Sequence, residues 1–329
     1  MIDILPSLLK AAVGVAILLA VILGLYGLTR LLPNPWREWA QTLVFLLPAI
    51  ILLAGLILPA LLNFRYSFND RDDAWAGFSN YTHIFTDEDS RIVLRNSLWW
   101  AIFVTAVSTT VGIVIARLAD GMRGEPMAKA LIFLPTAISM VGAVIIWNFV
   151  YSPQDFGLLN SVYQLLPGEQ DPQYFLQDRR IFGLESSWIP GLNSFSIMFV
   201  VIWIQAGFAT VVMSAALKGV PADLVEAAKI DGATERQAFF RVVLPYVRGT
   251  VITVATTTVI VVLKVFDIIQ TMGKGGLFET STIANEMYEQ AFPQNNKGLG
   301  AAWAIMLFVL VLPVVFINSA NQRRMREGG

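Results

Sequence analysis

Residues 220–245, with the sequence VPADLVEAAKIDGATERQAFFRVVLP, decide how the rest of the chain is arranged. This polar stretch separates two apolar runs of membrane length, and its pattern predicts two short helices joined at a glycine. Pro221 suits the first position of a helix, where its missing N–H is not needed, and Gly232 suits the left-handed position that closes a helix. Thr234 followed by Gln237 is typical of a capping box, so we expect a second helix that Pro245 ends.

Two adjacent phenylalanines, Phe239 and Phe240, give the second helix an apolar side. An apolar side on a helix in an aqueous loop requires a surface to cover it. The local pattern leaves two interpretations open. The helix pair lies on lipid headgroups or under its own bundle, or it binds another protein.

The composition is that of an integral membrane protein. Of the 329 residues, 56% are hydrophobic and 14% are charged, and the mean hydropathy of +0.62 excludes an ordinary soluble domain. A helix needs roughly 20 apolar residues to cross a bilayer. Seven stretches meet this requirement, at about 8–29, 41–64, 97–117, 128–150, 196–217, 249–268 and 299–319. We therefore predict an all-α, multipass transmembrane bundle, in which prolines such as Pro135 mark kinks.

The basic residues predict the orientation of the bundle. With the 218–248 loop inside, the inner segments hold Arg30, Arg37, Arg117, Arg123, Lys129, Lys218, Lys229, Arg236, Arg241, Arg248, Arg323, Arg324 and Arg326. The remaining Lys and Arg residues are spread over longer outer segments that are richer in acids. The positive-inside rule therefore places the amino terminus outside and the carboxyl terminus in the cytoplasm. It also places the long loops 65–96 and 151–195 outside, where they are expected to receive a ligand or a protein.

The sequence contains no motif for catalysis, nucleotide binding or metal binding. The segment Gly273-Lys274-Gly275-Gly276 lacks both the upstream glycine and the following Ser or Thr of a phosphate-binding loop. Cysteine is absent, and no His, Asp and Glu residues have metal-ligand spacing. We expect no enzymatic activity in this chain. Any energy that its activity requires must then come from an ion gradient or from another polypeptide.

Charged residues are rare inside the predicted spans. Lys264 and Asp267 are three residues apart in the sixth span, which would place them on one helical face near its outer end. They either form an ion pair that lines a water-filled path or extend toward the membrane interface. A carrier driven by protons or sodium generally needs buried carboxylates, so their scarcity disfavours that class.

Polar and aromatic side chains in the fifth and sixth spans are the candidates for a substrate path. Amides beside aromatic rings suit a sugar, because hydroxyls need fixed hydrogen-bond partners and the apolar sugar faces stack on rings. In the fifth span the candidates are Trp203, Gln205 and Phe208, and in the sixth they are Thr257 and Thr258. Threonines in spans also bond to their own helix, which is a purely structural alternative.

The 220–245 stretch resembles a known family. Glu226-Ala227-Ala228, Gly232 and Val242-x-Leu244-Pro245 match the pattern EAA-x3-G-x9-I-x-LP of the membrane subunits of binding-protein-dependent ABC importers, with Val in place of Ile. Further stretches resemble the MalF-type sugar permeases, and the phrases around 203–208 and 263–268 look most like the α-glucoside (AglF-like) subtype. The stretches that carry the wider resemblance are Phe45–Pro48, Tyr66–Phe68, Gly77–Tyr81, Leu94–Ser97, Phe133–Pro135, Gly157–Asn160 and Met287–Phe292.

The resemblance implies a division of the chain and of its roles. Residues 1–40 would be an extra transmembrane helix and linker, and residues 41–329 a six-span permease core. The coupling loop 218–248 would dock on a cytoplasmic ATP-binding subunit, which is expected as a dimer and would hold the ATP and Mg²⁺, so the permease itself needs no cofactor. The docking residues implied are Glu226, Ala227, Ala228, Asp231, Gly232, Leu244 and Pro245.

The resemblance also implies the remaining partners and the substrate class. A second homologous permease would complete the pore, an extracytoplasmic solute-binding protein would deliver the solute, and no nucleic acid is involved. The expected solute is a di- or oligosaccharide with glucose units, such as maltose or trehalose. The family member with a maltose site has asparagines in this region of the sixth span, whereas this chain has Val262, Lys264 and Val265, so the resemblance does not extend to the maltose contacts. An importer for a polyol or glycerol phosphate, and an ion-coupled carrier, are the alternatives.

Overall fold

The computed structural model describes residues 4–34, 36–154, 156–166, 171–181, 183–184 and 188–327. Over these ranges the chain is helical with irregular connections, and its only β-type pairings are the isolated bridges Asn69–Trp75 and Ile181–Leu184. The predicted all-α class is confirmed. The α-helical segments are α1 Ile4–Thr29, α2 Trp36–Tyr66, α3 Ser79–Thr86, α4 Glu88–Trp99, α5 Thr105–Ala119, α6 Glu125–Phe133, α7 Met140–Val150, α8 Leu158–Tyr163, α9 Leu192–Lys218, α10 Ala222–Ile230, α11 Glu235–Ala238, α12 Leu244–Tyr246, α13 Arg248–Leu263, α14 Asp267–Thr271, α15 Ile283–Ala291 and α16 Lys297–Glu327.

The chain divides into two compact units, Met1–Arg65 and Tyr66–Gly329. The first unit holds α1 and nearly all of α2, which are long apolar helices. Within it, the rings of Tyr26 and Phe45 lie 5.3 Å apart, and Arg30 lies over the Tyr26 ring. None of the described residues of α2 is buried, as expected for a helix that faces lipid or another protein.

Membrane-length helices are found where hydropathy predicts them, with one difference. Six helices of the described chain are long and apolar enough to cross a bilayer, within 12–29, 36–66, 88–119, 192–218, 248–271 and 297–323. The predicted fourth span, 128–150, is instead a pair of helical segments, Glu125–Ala137 and Met140–Val150, that meet at an angle of 104°. If this bent pair, the predicted fourth span, is counted as one, the structure has up to seven spans.

Proline chemistry explains the break in the fourth span. Pro135 has no N–H to continue α6, and the chain tightens into a 3₁₀ turn over Leu134–Ala137 before Ile138 becomes extended. Ser139 then caps α7, because its Oγ accepts a hydrogen bond from the Gly142 N–H at 3.1 Å. Pro48, Pro59 and Pro313 lie inside helices that stay continuous.

Helix α9 is the centre of the Tyr66–Gly329 unit. It supplies more of the buried residues than any other helix described, and it packs against α5, α6 and α7. Two glycines allow this packing. A Cβ on Gly112 of α5 would lie 2.4 Å from the Ala209 Cβ, and a Cβ on Gly207 would lie 2.4 Å from the Ile132 carbonyl oxygen of α6. Backbones thus touch where α9 meets its neighbours.

Candidate functional site

The first half of the 220–245 stretch folds as predicted. Helix α10 begins after Pro221, which is its N-cap residue rather than its first helical residue. Gly232 has a φ of +87°, the left-handed conformation expected from the sequence. Two hydrogen bonds close the helix end: the Ala233 N–H donates to Ala228 O, and the Gly232 N–H donates to Lys229 O, both at 3.0 Å. This is the Schellman pattern, in which glycine avoids the penalty that a Cβ would carry.

The second half differs from the prediction at its end. The capping box is present, since the Gln237 N–H donates to Thr234 Oγ1 and the Thr234 N–H donates to Gln237 Oε1. Pro245 does not end the helix, however, because helical structure continues to Tyr246. A π turn over Phe239–Val243 has already shifted the hydrogen bonds by one residue, and Pro245 lies in the first turn of α12, where its missing N–H costs little.

The two adjacent phenylalanines point in different directions. Phe239 is half-buried and lies under the Arg117 guanidinium, 6.0 Å from its ring centroid, whereas Phe240 is 55% exposed. The half-buried Leu244 packs with Val247 and Met213 in the core cluster at this end of the bundle. The loop is therefore partly covered by its own bundle and partly free.

The free part is a surface that we term the α10–α11 face. It comprises the exposed residues Leu224, Glu226, Ala227, Ile230, Asp231 and Phe240. Ile230 is 85% exposed, which is unfavourable in water for so large an apolar side chain. Ala228 is half-buried, while Gly232 and Pro245 are exposed. Of the residues implied for docking, Glu226, Ala227 and Asp231 belong to this face, and Ala228 and Gly232 adjoin them in the chain. Leu244 packs inward, and Pro245 follows it in α12.

An ion cluster ties this loop to the broken fourth span. Glu125, in the first turn of α6, contacts the Lys129 ammonium and lies 2.5 Å from the Lys218 Nζ, measured from Oε1. Its other oxygen accepts the Gly121 N–H at 3.2 Å, and Lys129 also contacts the Ser214 hydroxyl. The Glu125 side chain is 14% exposed. The i,i+4 spacing of Glu125 and Lys129 was visible in the sequence, but Lys218 was not foreseeable as their neighbour.

The candidate path residues of α9 separate into two groups. Trp203 packs in the core cluster with Trp147, at 5.7 Å between ring centroids, while Phe208 packs in the cluster with Leu244. With about 100° per residue, Gln205 lies roughly 60° from Phe208 around the helix and about 160° from Trp203. All three side chains are half-buried. The structure thus separates Trp203 from Phe208, and helix geometry places Gln205 nearer to Phe208 than to Trp203.

The threonines of α13 also differ from one another. Thr253 and Thr256 donate hydrogen bonds to carbonyls of their own helix, which is the structural alternative. Thr258 is fully buried, and its Oγ1 has no hydrogen-bond partner among the described residues. Thr257 is half-buried.

Lys264 and Asp267 do not share a helical face, which corrects the expectation from their spacing. Helix α13 ends at Leu263 and α14 begins at Asp267, so the intervening residues break the sixth span. The hydroxyl of Thr282 donates to the freed Val265 carbonyl at 3.1 Å and stabilises the break. Both charged side chains are exposed, and the ion pairs found in the described chain do not include this pair.

Comparison with known proteins shows to which family this chain belongs. The family model described as "Binding-protein-dependent transport system inner membrane component" matches residues 108–327, more than half of the chain. The chain belongs to this family. It is a membrane-embedded permease component of an ABC importer, and the α10–α11 segment falls within the matched region.

Curated relatives extend over most of the permease. It is 40% identical to the osmoprotective compounds uptake permease protein GgtC of Synechocystis over 84% of this chain and 96% of that protein. It is 38% identical to the alpha-glucoside transport system permease protein AglF of Rhizobium meliloti, over 90% and 85% respectively. The trehalose/maltose transport system permease protein MalF of Thermococcus litoralis is 26% identical over 88% and 96%.

A solved structure supports the fold of the permease. A chain from the crystal structure of a bacterial ABC transporter involved in import of the acidic polysaccharide alginate superposes with a TM-score of 0.65. The sequence identity is 22%, and the match covers 89% of this chain and 99% of that one. At this identity the likeness concerns the fold alone.

Proposed function

We propose that this permease is one subunit of an ATP-driven importer for di- or oligosaccharides that contain glucose units, and that it works by alternating access. The observation that carries the proposal is the α10–α11 face, a rigid helix pair with uncovered apolar side chains. The closed Gly232 turn and the capping box hold this face in shape before any partner binds. A preformed face of this kind fits docking, because little order must be gained on binding.

The proposed partner at this face is an ATP-binding subunit. Glu226 and Asp231 supply negative charge beside the apolar Ala227 and Ile230, and Gly232 and Ala228 allow close approach. Leu244 and Pro245 support the face indirectly, because they belong to α12, which connects it to α13. ATP and Mg²⁺ are bound by the partner, a second permease completes the pore, and a solute-binding protein meets the opposite end of the bundle.

Sugar as the solute is supported by the relatives and by the side chains available. AglF and MalF are named for glucoside, trehalose or maltose transport. In this chain the proposed path carries rings and hydrogen-bonding groups suited to sugars, namely Trp203, Gln205, Phe208, Thr257 and Thr258. Lys264 and Asp267 border the break in the sixth span, the kind of feature that lines substrate sites in membrane transporters.

A second candidate solute follows from one relative. GgtC is named for the uptake of osmoprotective compounds, and a polyol is the second solute that we propose. The two candidates differ in whether a cyclic sugar is required. Stimulation by maltose or trehalose supports the first, and stimulation by sorbitol alone supports the second.

Co-purification tests the proposal. The tagged permease, extracted in mild detergent from the cells that naturally make it, is expected to bring down an ATP-binding subunit and a second permease. In proteoliposomes with the binding protein, maltose or trehalose is expected to stimulate ATP hydrolysis, whereas sorbitol and glycerol 3-phosphate are not. A permease that purifies alone and transports sugar on an ion gradient would overturn the proposal.

Variants at the α10–α11 face refine this test. Glu226→Lys reverses a charge on the face, and Gly232→Pro removes the left-handed turn, since proline is restricted to φ near −65°. Both are expected to insert in the membrane and to abolish uptake. Glu38→Lys, the same charge reversal at an exposed position of α2 outside both the coupling loop and the long outer loops, is the matched control and is expected to retain uptake.

A further inference from the structure

A cavity of about 230 Å³ lies at the end of the bundle opposite the α10–α11 face. Helix α13 leaves the loop at Arg248 and the chain runs away from it to Thr271 at the end of α14, so residues 271–274 lie at that far end. The other walls are the end of α7 with Tyr151 and the segment Tyr174–Gln177. None of the residues assigned above to docking or to the path lines this cavity.

Four polar side chains at the border of the cavity are available to bind a ligand. Asn148, Tyr174, Gln177 and Lys274 are all exposed. Within the part of the chain that the structure describes, none of them has a side-chain hydrogen bond or an ion pair with the protein. They offer two amides, a phenol and an ammonium group, which together donate and accept hydrogen bonds. No Asp or Glu lines the cavity, so it does not suit a metal ion.

The inner wall of the cavity is aromatic and firmly held. The Tyr151 hydroxyl donates to the Ser196 carbonyl of α9 at 2.9 Å. Its ring lies 5.6 Å from Phe175 and 5.2 Å from Trp147, whose ring in turn lies 5.7 Å from Trp203. A series of rings therefore leads from the cavity to Trp203, the outermost aromatic candidate of the path. The buried Nε1 of Trp147 has no hydrogen-bond partner among the described residues.

The outer wall is held at its start by the side-chain amide of Asn160. The Asn160 Nδ2 donates to Ser152 O at 2.8 Å and to Gln173 O at 3.1 Å, while its Oδ1 accepts the Gln173 N–H at 2.7 Å. Asn160 is 2% exposed, so these bonds are protected from water. They fix the start of the turn that carries Tyr174 and Gln177.

The third wall is a strained glycine segment. Lys274 has a φ of +49°, and the Asn285 Nδ2 donates to the following Gly275 carbonyl at 3.2 Å. A non-glycine residue rarely adopts this backbone conformation unless its surroundings hold it there. The segment that resembled a phosphate loop in the sequence thus serves here to place Lys274 at the cavity.

We propose that this cavity is an entry subsite for one neutral pyranose ring, which stacks on Tyr174 and bonds through its hydroxyls to Asn148, Gln177 and Lys274. The inference rests on the proposed sugar-import function and adds a subsite to it. Rings beside amides are what sugar recognition requires. The volume is below the roughly 300 Å³ at which typical ligand pockets begin, so it suits one ring of an oligosaccharide.

Cysteine protection tests this subsite directly. The 329 residues contain no cysteine, so Gln177→Cys creates the single thiol of this chain in the assembled importer, and its modification is followed on this chain by mass spectrometry. We expect maltose or trehalose to slow its modification by a charged methanethiosulfonate reagent severalfold and saturably, without ATP or binding protein. Phe156→Cys is the matched control, since Phe156 lies in the same loop, is 60% exposed and does not line the cavity. Its modification rate is expected to be unchanged by sugar.

A kinetic test uses the stacking residue. Tyr174→Ala is expected to raise the KM for maltose or trehalose uptake by up to about tenfold, while the maximal uptake rate at saturating sugar is retained. Tyr174→Trp keeps a ring and is expected to restore the KM. This split between KM and kcat distinguishes a sugar contact from a structural defect, which would lower assembly and basal activity.

The outcomes separate this inference from the proposed function. Uptake of maltose or trehalose by the unmodified importer, with no protection of Gln177→Cys and no change of KM in Tyr174→Ala, overturns the subsite and leaves the importer intact. Failure of the unmodified importer to take up either sugar overturns the proposed substrate class, and the subsite with it.

Discussion

Asp178 holds the cavity segment Tyr174–Gln177 from its carboxyl side. Burial by itself would raise the pKa of its carboxyl, but the Arg180 N–H, the Gln173 amide and the Arg180 guanidinium outweigh burial and lower the pKa. A carboxyl whose pKa is lowered on folding stabilises the fold above its unfolded pKa of about 4, and this contribution is lost as the pH falls through the lowered native value. Asp178 is therefore ionised at both pH 5.5 and pH 7.5.

Asp178→Asn is accordingly expected to raise the KM for sugar by the same factor at pH 5.5 and at pH 7.5. The reason is that the variant removes a charge that neither pH titrates. Uptake measured at both values provides the check, and Asp171→Asn, at an exposed position of the same loop, is the control with an unchanged KM. An effect that shrinks at pH 5.5 would show that Asp178 titrates near neutrality, contrary to its hydrogen bonds.

At the scale of elements, the Glu125 cluster joins three segments: the turn at Gly121, the start of α6 and the end of α9 at Lys218. The α10–α11 face begins only a few residues after Lys218, and α6 leads to the break at Pro135. We therefore expect this carboxylate to couple movement of the loop to the broken span. Glu125→Gln is expected to keep insertion and assembly but to lower sugar-stimulated ATP hydrolysis severalfold, because both lysines lose their counter-charge.

The matched control for Glu125 is Glu235→Gln. Glu235 pairs with Lys229 at 3.5 Å, yet its side chain is 77% exposed, and exposed pairs contribute only about 0–1 kcal/mol. Its loss is expected to leave the stimulated ATPase rate nearly unchanged. Glu125→Asp, which keeps the charge on a shorter side chain, is expected to recover part of the activity. If Glu125→Gln and Glu235→Gln lowered the stimulated ATPase rate equally, the cluster would have no special role in coupling.

At the scale of the whole molecule, orientation in the membrane follows from charge. The positive-inside rule predicts a cytoplasmic α10–α11 face and an external cavity. The absence of natural cysteine makes single-cysteine labelling clean. On intact cells, an impermeant thiol reagent is expected to label Gln154→Cys near the cavity end and to label Ala222→Cys in α10 only after permeabilisation. If only Ala222→Cys were labelled on intact cells, the orientation would be the opposite of the predicted one.

The sequence alone determined those features that arise from residues close together in the chain. The Gly232 turn and the Thr234–Gln237 capping box depend on backbone groups within one helical turn, and both are observed. The positions of the spans follow from runs of apolar residues, and the kink at Pro135 follows from a missing N–H. The spaced motif around Glu226 also identified the family, because its residues serve one continuous helix pair.

Only the tertiary structure decided the features that depend on distant partners. The segment around Val265 contains neither Gly nor Pro, and its break is stabilised by a hydroxyl from Thr282. Trp203 and Phe208 are separated because different helices cover different sides of α9. The cavity brings together Asn148, Gln177 and Lys274, which local patterns do not relate. Such contacts form only when the helices pack. Sequence patterns miss them because the residues around a position do not indicate which distant residue will become its neighbour.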